Sequence, residues 1–88
     1  MLILSQDRLE IVNFNNITNM FILNYSIKCM LTDGGETYIG AYETEKRAKE
    51  VLQEITKAYI ENKKGQETNS IFGYSIIPSN TYYEMPEK

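Results

Sequence analysis

The spacing of apolar residues switches from a period of two to one of 3.6 close to residues 43–44, and this change constrains the fold more than any other feature. Before it, apolar and polar residues alternate with a period of two, most clearly over Ser26–Leu31, which is typical of a β-strand with one buried face. After it, apolar residues recur at the spacing of one helical face. The residues on that face are Ala48, Val51, Leu52, Ile55, Ala58 and Tyr59. The pattern therefore predicts strands first and one amphipathic helix after them.

Turn residues divide the first half of the chain into about five short strands. Asn15–Asn16 separates two of them. Asp33–Gly35 is the strongest hairpin signal, because glycines adopt the positive φ angles of a tight loop. We expect consecutive hairpins here, and therefore an antiparallel β-meander. The predicted strands are Met1–Leu4, Leu9–Phe14, Ile17–Leu23, Ser26–Leu31 and Thr37–Tyr42.

One long amphipathic helix is predicted over Glu45–Lys64, with Gly65 placed to end it. The polar residues 65–70 predict a loop, and one or two C-terminal strands follow at Ile71–Ile77 and Thr81–Met85. The predicted fold class is therefore α+β, with the helix packed on one face of an antiparallel sheet. The length predicts a single domain over residues 1–88.

The 88 residues include no histidine and a single cysteine. Without histidine the chain has no Ser–His–Asp triad, no Cys–His pair and no histidine base. Zinc sites need several cysteine or histidine ligands and an intrachain disulfide needs two cysteines, so Cys29 forms neither. It shares a strand face with Ile27 and Leu31, which predicts a small buried side chain. We therefore expect no enzyme activity, no metal site and no cofactor.

Twelve acidic and nine basic residues give a formal net charge of −3. Only Lys28 is basic between Leu9 and Glu45, so the sequence lacks the basic stripe typical of duplex nucleic-acid binding. The apolar start, Met1–Leu4, gives way to polar residues at Ser5, and we expect neither a signal peptide nor a membrane span. The expected location is the cytoplasm, or the host cytoplasm for a phage-encoded chain, with neither duplex nucleic acid nor a membrane as a partner.

Two cations occupy the unfavourable end of the predicted helix. Lys46 and Arg47 lie in its first turn, where cations oppose the positive end of the helix dipole and free backbone amides attract anions. Tyr38 and Tyr42 are four residues apart, so a regular strand turns both rings to one face. With Arg8 as a further cation, these residues predict a site for a phosphate, a carboxylate or a nucleotide-like ligand. The alternative is a solvent-exposed pair of cations.

Tyrosine is over-represented, with seven tyrosines against three phenylalanines. Tyr74, Tyr82 and Tyr83 cluster with Met85 in the last quarter of the chain. Tyrosine is favoured at half-buried positions and at interfaces, and the β-strand propensity of tyrosine accounts for most of these residues. The alternative explanation is a homo-oligomer in which a C-terminal arm reaches a neighbouring subunit, and we expect the chain to form a homo-oligomer.

Several stretches of the sequence resemble a family of small uncharacterised proteins from Firmicutes and their phages. They are Ser5–Asp7 with Ile11–Phe14, Tyr42–Leu52 at the predicted helix start, and Tyr83–Lys88. This resemblance implies an accessory role in phages or mobile elements, in countering host defence. In size and architecture the chain is also similar to the small oligomeric phage sponges that sequester cyclic-nucleotide immune signals.

The expected function is therefore binding without catalysis. The first hypothesis is a small-ligand-binding protein, a phage anti-defence sponge in which the first helical turn holds phosphate and Tyr38 or Tyr42 stacks a base. The alternative is a protein-interaction module, or an inhibitor of a host protein, that uses a tyrosine-rich sheet edge and an acidic surface. An enzyme that relies on carboxylates alone is a third class.

Overall fold

Six strands and one long helix make up the described part of the chain. The computed structural model describes residues 1–72 and 82–88, with side chains for residues 1–61 and 82–88. The predicted α+β class is confirmed. A short 3₁₀ turn, Phe14–Asn16, joins the second strand to the third. In chain order the other elements are β1 (Leu2–Leu4), β2 (Ile11–Asn13), β3 (Ile17–Leu23), β4 (Ser26–Leu31), β5 (Glu36–Ala41), α1 (Glu45–Phe72) and β6 (Tyr82–Glu84).

Strands β3, β4 and β5 form an antiparallel meander, which we call the hairpin sheet. Asn24 and Tyr25 link β3 to β4 with φ angles of 50° and 67°, as a two-residue turn of type I′ requires. Gly34, with a φ of 90°, turns the chain between β4 and β5. There the Asp33 carboxylate accepts a 2.7 Å hydrogen bond from the Gly35 amide. Local turn chemistry therefore specifies this sheet, as predicted.

Strands β1, β2 and β6 form a second sheet, which we call the mixed sheet. Strand β1 is antiparallel to β2 and parallel to β6, so that Ile3 lies opposite Val12 on one side and Tyr83 on the other. This parallel pair differs from the simple meander that the turn residues predict. Parallel neighbours need a long crossover, and the segment containing α1 supplies it. The two sheets meet where the Gln6 amide donates a 2.8 Å hydrogen bond to the Ile39 carbonyl.

Helix α1 begins at Glu45, as predicted, because Thr44 caps it. The Thr44 hydroxyl accepts a 3.0 Å hydrogen bond from the Arg47 amide, and the Thr44 carbonyl accepts one of 3.1 Å from the Ala48 amide. Glu45 also forms a 3.8 Å ion pair with Lys49, one turn further along the exposed face. The start of the helix is therefore fixed by its own sequence.

The end of α1 differs from the prediction. The helix continues to Phe72, past the expected end at Lys64, so residues 65–70 are helical and do not form a loop. A glycine inside a helix costs only about 1 kcal/mol relative to alanine, so Gly65 does not have to end it. The predicted strand Ile71–Ile77 begins inside the helix, and its remaining residues lie outside the described part of the chain.

One hydrophobic core lies between the helix and the two sheets. The Tyr59 ring stacks on the Phe14 ring with centroids 4.4 Å apart, which fixes the helix over the start of β3. Cys29 is fully buried in the core, as predicted, and burial raises the pKa of its thiol to about 11, so the thiol is protonated at neutral pH. The buried apolar side chains are Met1, Ile3, Val12, Ile27, Cys29, Ile39, Tyr42, Ala48, Val51, Ile55 and Met85.

Candidate functional site

Residues 85–88, which we call the C-terminal segment, have no regular secondary structure and lie against the end of β5 and the start of α1. The Met85 side chain is fully buried, and the Met85 amide donates a 3.0 Å hydrogen bond to the Leu4 carbonyl. Every main-chain oxygen of the segment accepts a hydrogen bond from a side chain. The pairs are Arg8 Nη1 to Met85 at 3.0 Å, Tyr42 OH to Pro86 at 2.8 Å, Gln6 Nε2 to Glu87 at 2.9 Å and Arg47 Nε to Lys88 at 3.0 Å. We call the surface that these four donor side chains form the C-terminal groove.

Gln6 is held in place through both atoms of its side-chain amide. Its oxygen accepts a 2.7 Å hydrogen bond from the Ala41 amide, while its nitrogen donates to the Glu87 oxygen. Gln6 thus bridges β5 and the C-terminal segment. Sequence reasoning missed this residue, because its partners lie 35 and 81 positions further along the chain and no local pattern marks them.

Arg8 reaches the C-terminal segment from a tight turn after β1. Its backbone is left-handed, with a φ of 65°, a conformation that costs a residue with a side chain about 1–2 kcal/mol. The Asp7 carboxylate stabilises the turn by accepting hydrogen bonds from the Ser5 hydroxyl at 2.6 Å and the Leu9 amide at 2.9 Å. These bonds lower the pKa of Asp7. The turn directs the Arg8 guanidinium to the Met85 oxygen.

A β-bulge separates the two tyrosines of the predicted site. Tyr38 and Gly40 lie opposite consecutive residues of β4, which leaves Ile39 between them without a partner. The extra residue reverses the alternation of faces. As a result Tyr42 is 7% exposed, whereas Tyr38 is 53% exposed on the other face. The prediction that both rings share one face is therefore wrong.

Gly40 leaves the room that Tyr42 and Met85 need. A β-carbon at this position would lie 3.0 Å from Tyr42 Cε2 and 3.1 Å from Met85 Cε, closer than side chains normally pack. The Tyr42 ring fills this space, and its hydroxyl reaches Pro86. Burial raises the pKa of Tyr42, so its hydroxyl is a hydrogen-bond donor at neutral pH.

Carboxylates surround both arginines of the C-terminal groove. The neighbours are Glu84 at 3.9 Å and Glu87 at 3.7 Å for Arg8, and Glu50 and Glu54 at 3.5 Å for Arg47. Two negative charges therefore accompany each positive charge. This balance weakens the attraction for a free phosphate and favours an uncharged acceptor such as a main-chain carbonyl.

Lys46 and Tyr38 lie away from the C-terminal groove. Lys46 is exposed on α1, on the side of the helix that also carries Lys49 and Gln53. Tyr38 faces outward on β5, where the Lys28 ammonium lies 5.1 Å from the centre of its ring. Tyr74, which was expected to join the C-terminal tyrosine cluster, lies outside the described residues. The predicted site residues that do come together are Arg8, Tyr42 and Arg47.

A depression of about 440 Å³ opens between the start of α1 and the C-terminal segment. Its lining includes Tyr42, Thr44, Arg47 and Lys88. The Arg47 guanidinium carbon lies 5.9 Å from the centre of the Tyr42 ring, which is within the range of a cation–π contact. The polar side chains that line the depression, those of Tyr42, Thr44 and Arg47, can form hydrogen bonds with a bound carbonyl, carboxylate or phosphate group.

Within residues 1–61 and 82–88, no three carboxylate or thiol side chains lie close enough together to hold a metal ion. Helix α1, as far as the structure describes it, has no stretch that is both apolar and long enough to cross a membrane.

Comparison with protein-family models, with curated proteins and with solved structures found no match for this chain. The resemblance to the Firmicutes and phage family therefore stays a prediction, as does the role in countering host defence.

Proposed function

We propose that the protein is a non-enzymatic protein-interaction module whose C-terminal groove binds a peptide main chain. The strongest support is the row of side-chain donors to four consecutive main-chain oxygens, those of residues 85–88. In this chain the groove holds the protein's own C-terminal segment. A partner protein that presents a similar segment would bind the same donors by displacing it.

The donors of the groove contact main-chain atoms, which all peptides share, so they accept many sequences. Selectivity comes from the side chain at the position of Met85, which is fully buried in the space beside Gly40. A thioether chain is unbranched and flexible, and it fills an irregular space of this kind well. The preferred partner segment therefore carries one unbranched apolar anchor at its start.

Charge narrows the choice of partner further. Glu84, directly before the C-terminal segment, lies 3.9 Å from Arg8, and Glu87 within the segment lies 3.7 Å from it. A partner segment with acidic residues on both sides of its anchor can replace these contacts, whereas a basic segment would repel the guanidinium. The proposed partner is therefore an acidic protein segment with an apolar anchor.

The nucleotide hypothesis draws on part of the same surface. The depression beside Tyr42 and Arg47, of about 440 Å³, has room for a phosphate or a carboxylate. Its support is weaker, because Glu50 and Glu54 on the same helix already accompany Arg47 and because Tyr38 lies on the opposite face of β5. A phage sponge for a nucleotide immune signal is therefore the second candidate.

Fluorescence anisotropy with a labelled peptide of residues 82–88 tests the peptide-binding proposal. In the wild-type chain the attached segment competes at an effective concentration on the order of millimolar, so the free peptide should bind weakly. The Met85→Ala variant removes the anchor and leaves all four donors in place. We expect it to bind the peptide at least about tenfold more tightly than the wild type, because its own segment competes less.

Arg47→Glu and Lys46→Glu, each combined with Met85→Ala, provide a matched pair at adjacent positions. Arg47→Glu replaces the donor to Lys88 by a carboxylate and should abolish peptide binding. Lys46→Glu changes an exposed residue outside the groove and should leave binding unchanged. Circular dichroism establishes that each variant is folded. A folded Met85→Ala chain that binds no peptide at about 1 mM would contradict the proposal.

Thermal unfolding with a cyclic nucleotide tests the second candidate. A ligand at a hundred times its Kd stabilises the folded state by about 2.7 kcal/mol, which raises Tm measurably. A rise in Tm that Arg47→Glu removes and Lys46→Glu retains would favour the nucleotide. An unchanged Tm at millimolar nucleotide would reject it.

A further inference from the structure

Strand β3 is the longest strand of the structure and forms one edge of the hairpin sheet. Among the residues that the structure describes, β4 is the only strand that pairs with it, so half of its backbone groups face away from any described strand. Such an edge is a template for pairing with another chain. Natural proteins protect edges of this kind with charged residues, proline or very short strands.

The opposite edge of the hairpin sheet is covered within the chain. Gln6 contacts β5 twice, through Ile39 and Ala41, and the Thr37 hydroxyl donates a 2.8 Å hydrogen bond to Glu10. The strands of the mixed sheet are only three residues long, which limits any pairing along their edges. In the described structure, β3 is therefore the long edge that remains open.

Strand β3 lacks the charges and the proline that usually protect an edge, and its register irregularity lies at its start, between Ile17 and Asn19. Residues 17–23 include no charge and no proline, and no charged residue occurs between Glu10 and Lys28. Leu23, the last residue of β3, is a large apolar residue that is 41% exposed. Met20, Phe21 and Ile22 are only half-buried. This edge suits an apolar, uncharged partner strand.

We infer that β3 pairs antiparallel with β3 of a second copy of this chain, about a two-fold axis at Phe21. The two hairpin sheets then form one continuous six-stranded sheet. Met20 and Ile22 lie opposite the buried Cys29 and Ile27 of β4, so they face the core, whereas Phe21 lies opposite Lys28 on the outer face.

In this pairing about Phe21, the side chains of the two copies complement each other. Phe21 meets its own copy on the outer face, Met20 meets Ile22 on the core face, and Asn19 meets Leu23. Cross-strand pairs of aromatic and aliphatic side chains stabilise a sheet, and none of these pairs opposes like charges. The irregular register between Ile17 and Asn19 limits the regular pairing to residues 19–23.

This interface would account for the homo-oligomer that the sequence predicts, and it does not depend on the C-terminal groove. The donors of the groove come from the turn after β1, the end of β5 and the first turn of α1. Substitutions in the groove should therefore leave the association of two copies unchanged. The failure of one proposal can thus be distinguished from the failure of the other.

Sedimentation equilibrium of the full chain tests the inference. We expect a wild-type dimer. Phe21→Lys should raise the dimer Kd at least about tenfold, because it sets two cations directly opposite each other at the axis. Tyr38→Lys is the matched control: it places a cation on the outer face of the same sheet but away from the β3 edge, and it should leave the dimer intact. Circular dichroism establishes that both variants are folded.

Disulfide trapping provides a second measurement that does not depend on weakening the interface. Directly opposed residues of antiparallel strands lie within reach of a disulfide, so Phe21→Cys should form a covalent dimer under mild oxidation, whereas Tyr38→Cys should not. The native Cys29 is buried and should not react. A wild-type chain that sediments as a monomer at millimolar concentration would overturn the inference. So would a dimer that withstands Phe21→Lys and is not trapped by Phe21→Cys.

Discussion

The hairpin sheet and the mixed sheet hold three strands each, but they are assembled over very different distances along the chain. The hairpin sheet joins strands that follow one another through tight turns at residues 24–25 and 33–35. In the mixed sheet, β1 pairs with β6, so that Ile3 lies opposite Tyr83. Closing such a long loop costs more chain entropy than closing a two-residue turn. The mixed sheet must therefore draw more stabilisation from individual side chains.

Those side chains are few and identifiable. The C-terminal segment is held by the four donors of the groove and by one buried anchor, Met85. The hairpin sheet also contributes buried side chains to the core, among them Ile27, Cys29 and Ile39, but tight turns close it locally, and most substitutions at its exposed positions preserve its backbone pairing. Single substitutions around the C-terminal segment should therefore be more damaging than their position near the end of the sequence suggests.

The largest effect is expected from Met85→Ala. Truncating a fully buried methionine should lower the free energy of unfolding by about 2–5 kcal/mol, measured by urea denaturation. Ile27→Ala, at a fully buried position of the hairpin sheet, should cost a similar amount. Leu9→Ala, at a position that is 86% exposed, should change stability by less than about 0.5 kcal/mol. A Met85→Ala cost as small as that of Leu9→Ala would mean that the C-terminal segment is not docked in solution.

Gly40→Ala should have the next largest effect. The new methyl group would press on the Tyr42 ring and on the Met85 side chain, at a cost of about 1–3 kcal/mol. Thermal unfolding measures this cost. Tyr42→Leu removes the ring that the methyl group meets, so the double variant should lose less stability than the sum of the two single variants. Strict additivity would contradict the contact.

Tyr42→Phe and Tyr38→Phe form a pair that separates the two faces of β5. Tyr42→Phe removes the 2.8 Å hydrogen bond to Pro86 and should cost about 1 kcal/mol. Tyr38→Phe changes an exposed ring and should cost less than about 0.5 kcal/mol. Equal costs, measured by urea denaturation, would argue against the β-bulge that turns the rings to opposite faces.

The titration of the Cys29 thiol should have the smallest effect on stability, because the thiol stays protonated at neutral pH. Burial raises the pKa of its thiol from 9.0 to about 11, so the folded state disfavours the reactive thiolate. The stability that the neutral thiol contributes is fully present below about pH 9 and is lost as the pH rises towards 11. At pH 7 we expect a thiol reagent such as DTNB to modify Cys29 only at the rate at which the protein opens. Reaction as fast as that of the urea-unfolded chain would contradict its burial.

The hairpin sheet was predictable because its signals are local. The predicted strands Ile17–Leu23 and Ser26–Leu31 coincide with β3 and β4, since alternation and turn residues mark both of their ends. Nothing local marks the parallel pairing of β1 with β6, because its partners lie at opposite ends of the sequence. The bulge at Ile39 also escaped prediction, because a single extra residue leaves the composition of a strand unchanged.

The candidate site was predicted in part, through residue chemistry. Arg8, Tyr42 and Arg47 carry the cationic and aromatic side chains that suit an anion, and all three do bind the C-terminal segment. The group that they bind is the main chain of residues 85–88. No sequence pattern near the three side chains indicates this partner. Lys46 shares the chemistry of Arg47, but the helix turns it to another side, so residue type alone could not separate the two.

The parallel pairing of β1 with β6 also has a mechanical consequence. The chain enters this pair at Leu2 and leaves it at Glu84, so tension on the two ends draws the strands past each other along their length. The backbone hydrogen bonds between β1 and β6 then share the load. In a hairpin that is pulled open at its two ends, such bonds break one at a time. Forced unfolding is governed by the rate of the first rupture. Tension applied between the two ends therefore reaches the β1–β6 pair before the hairpin sheet bears any force.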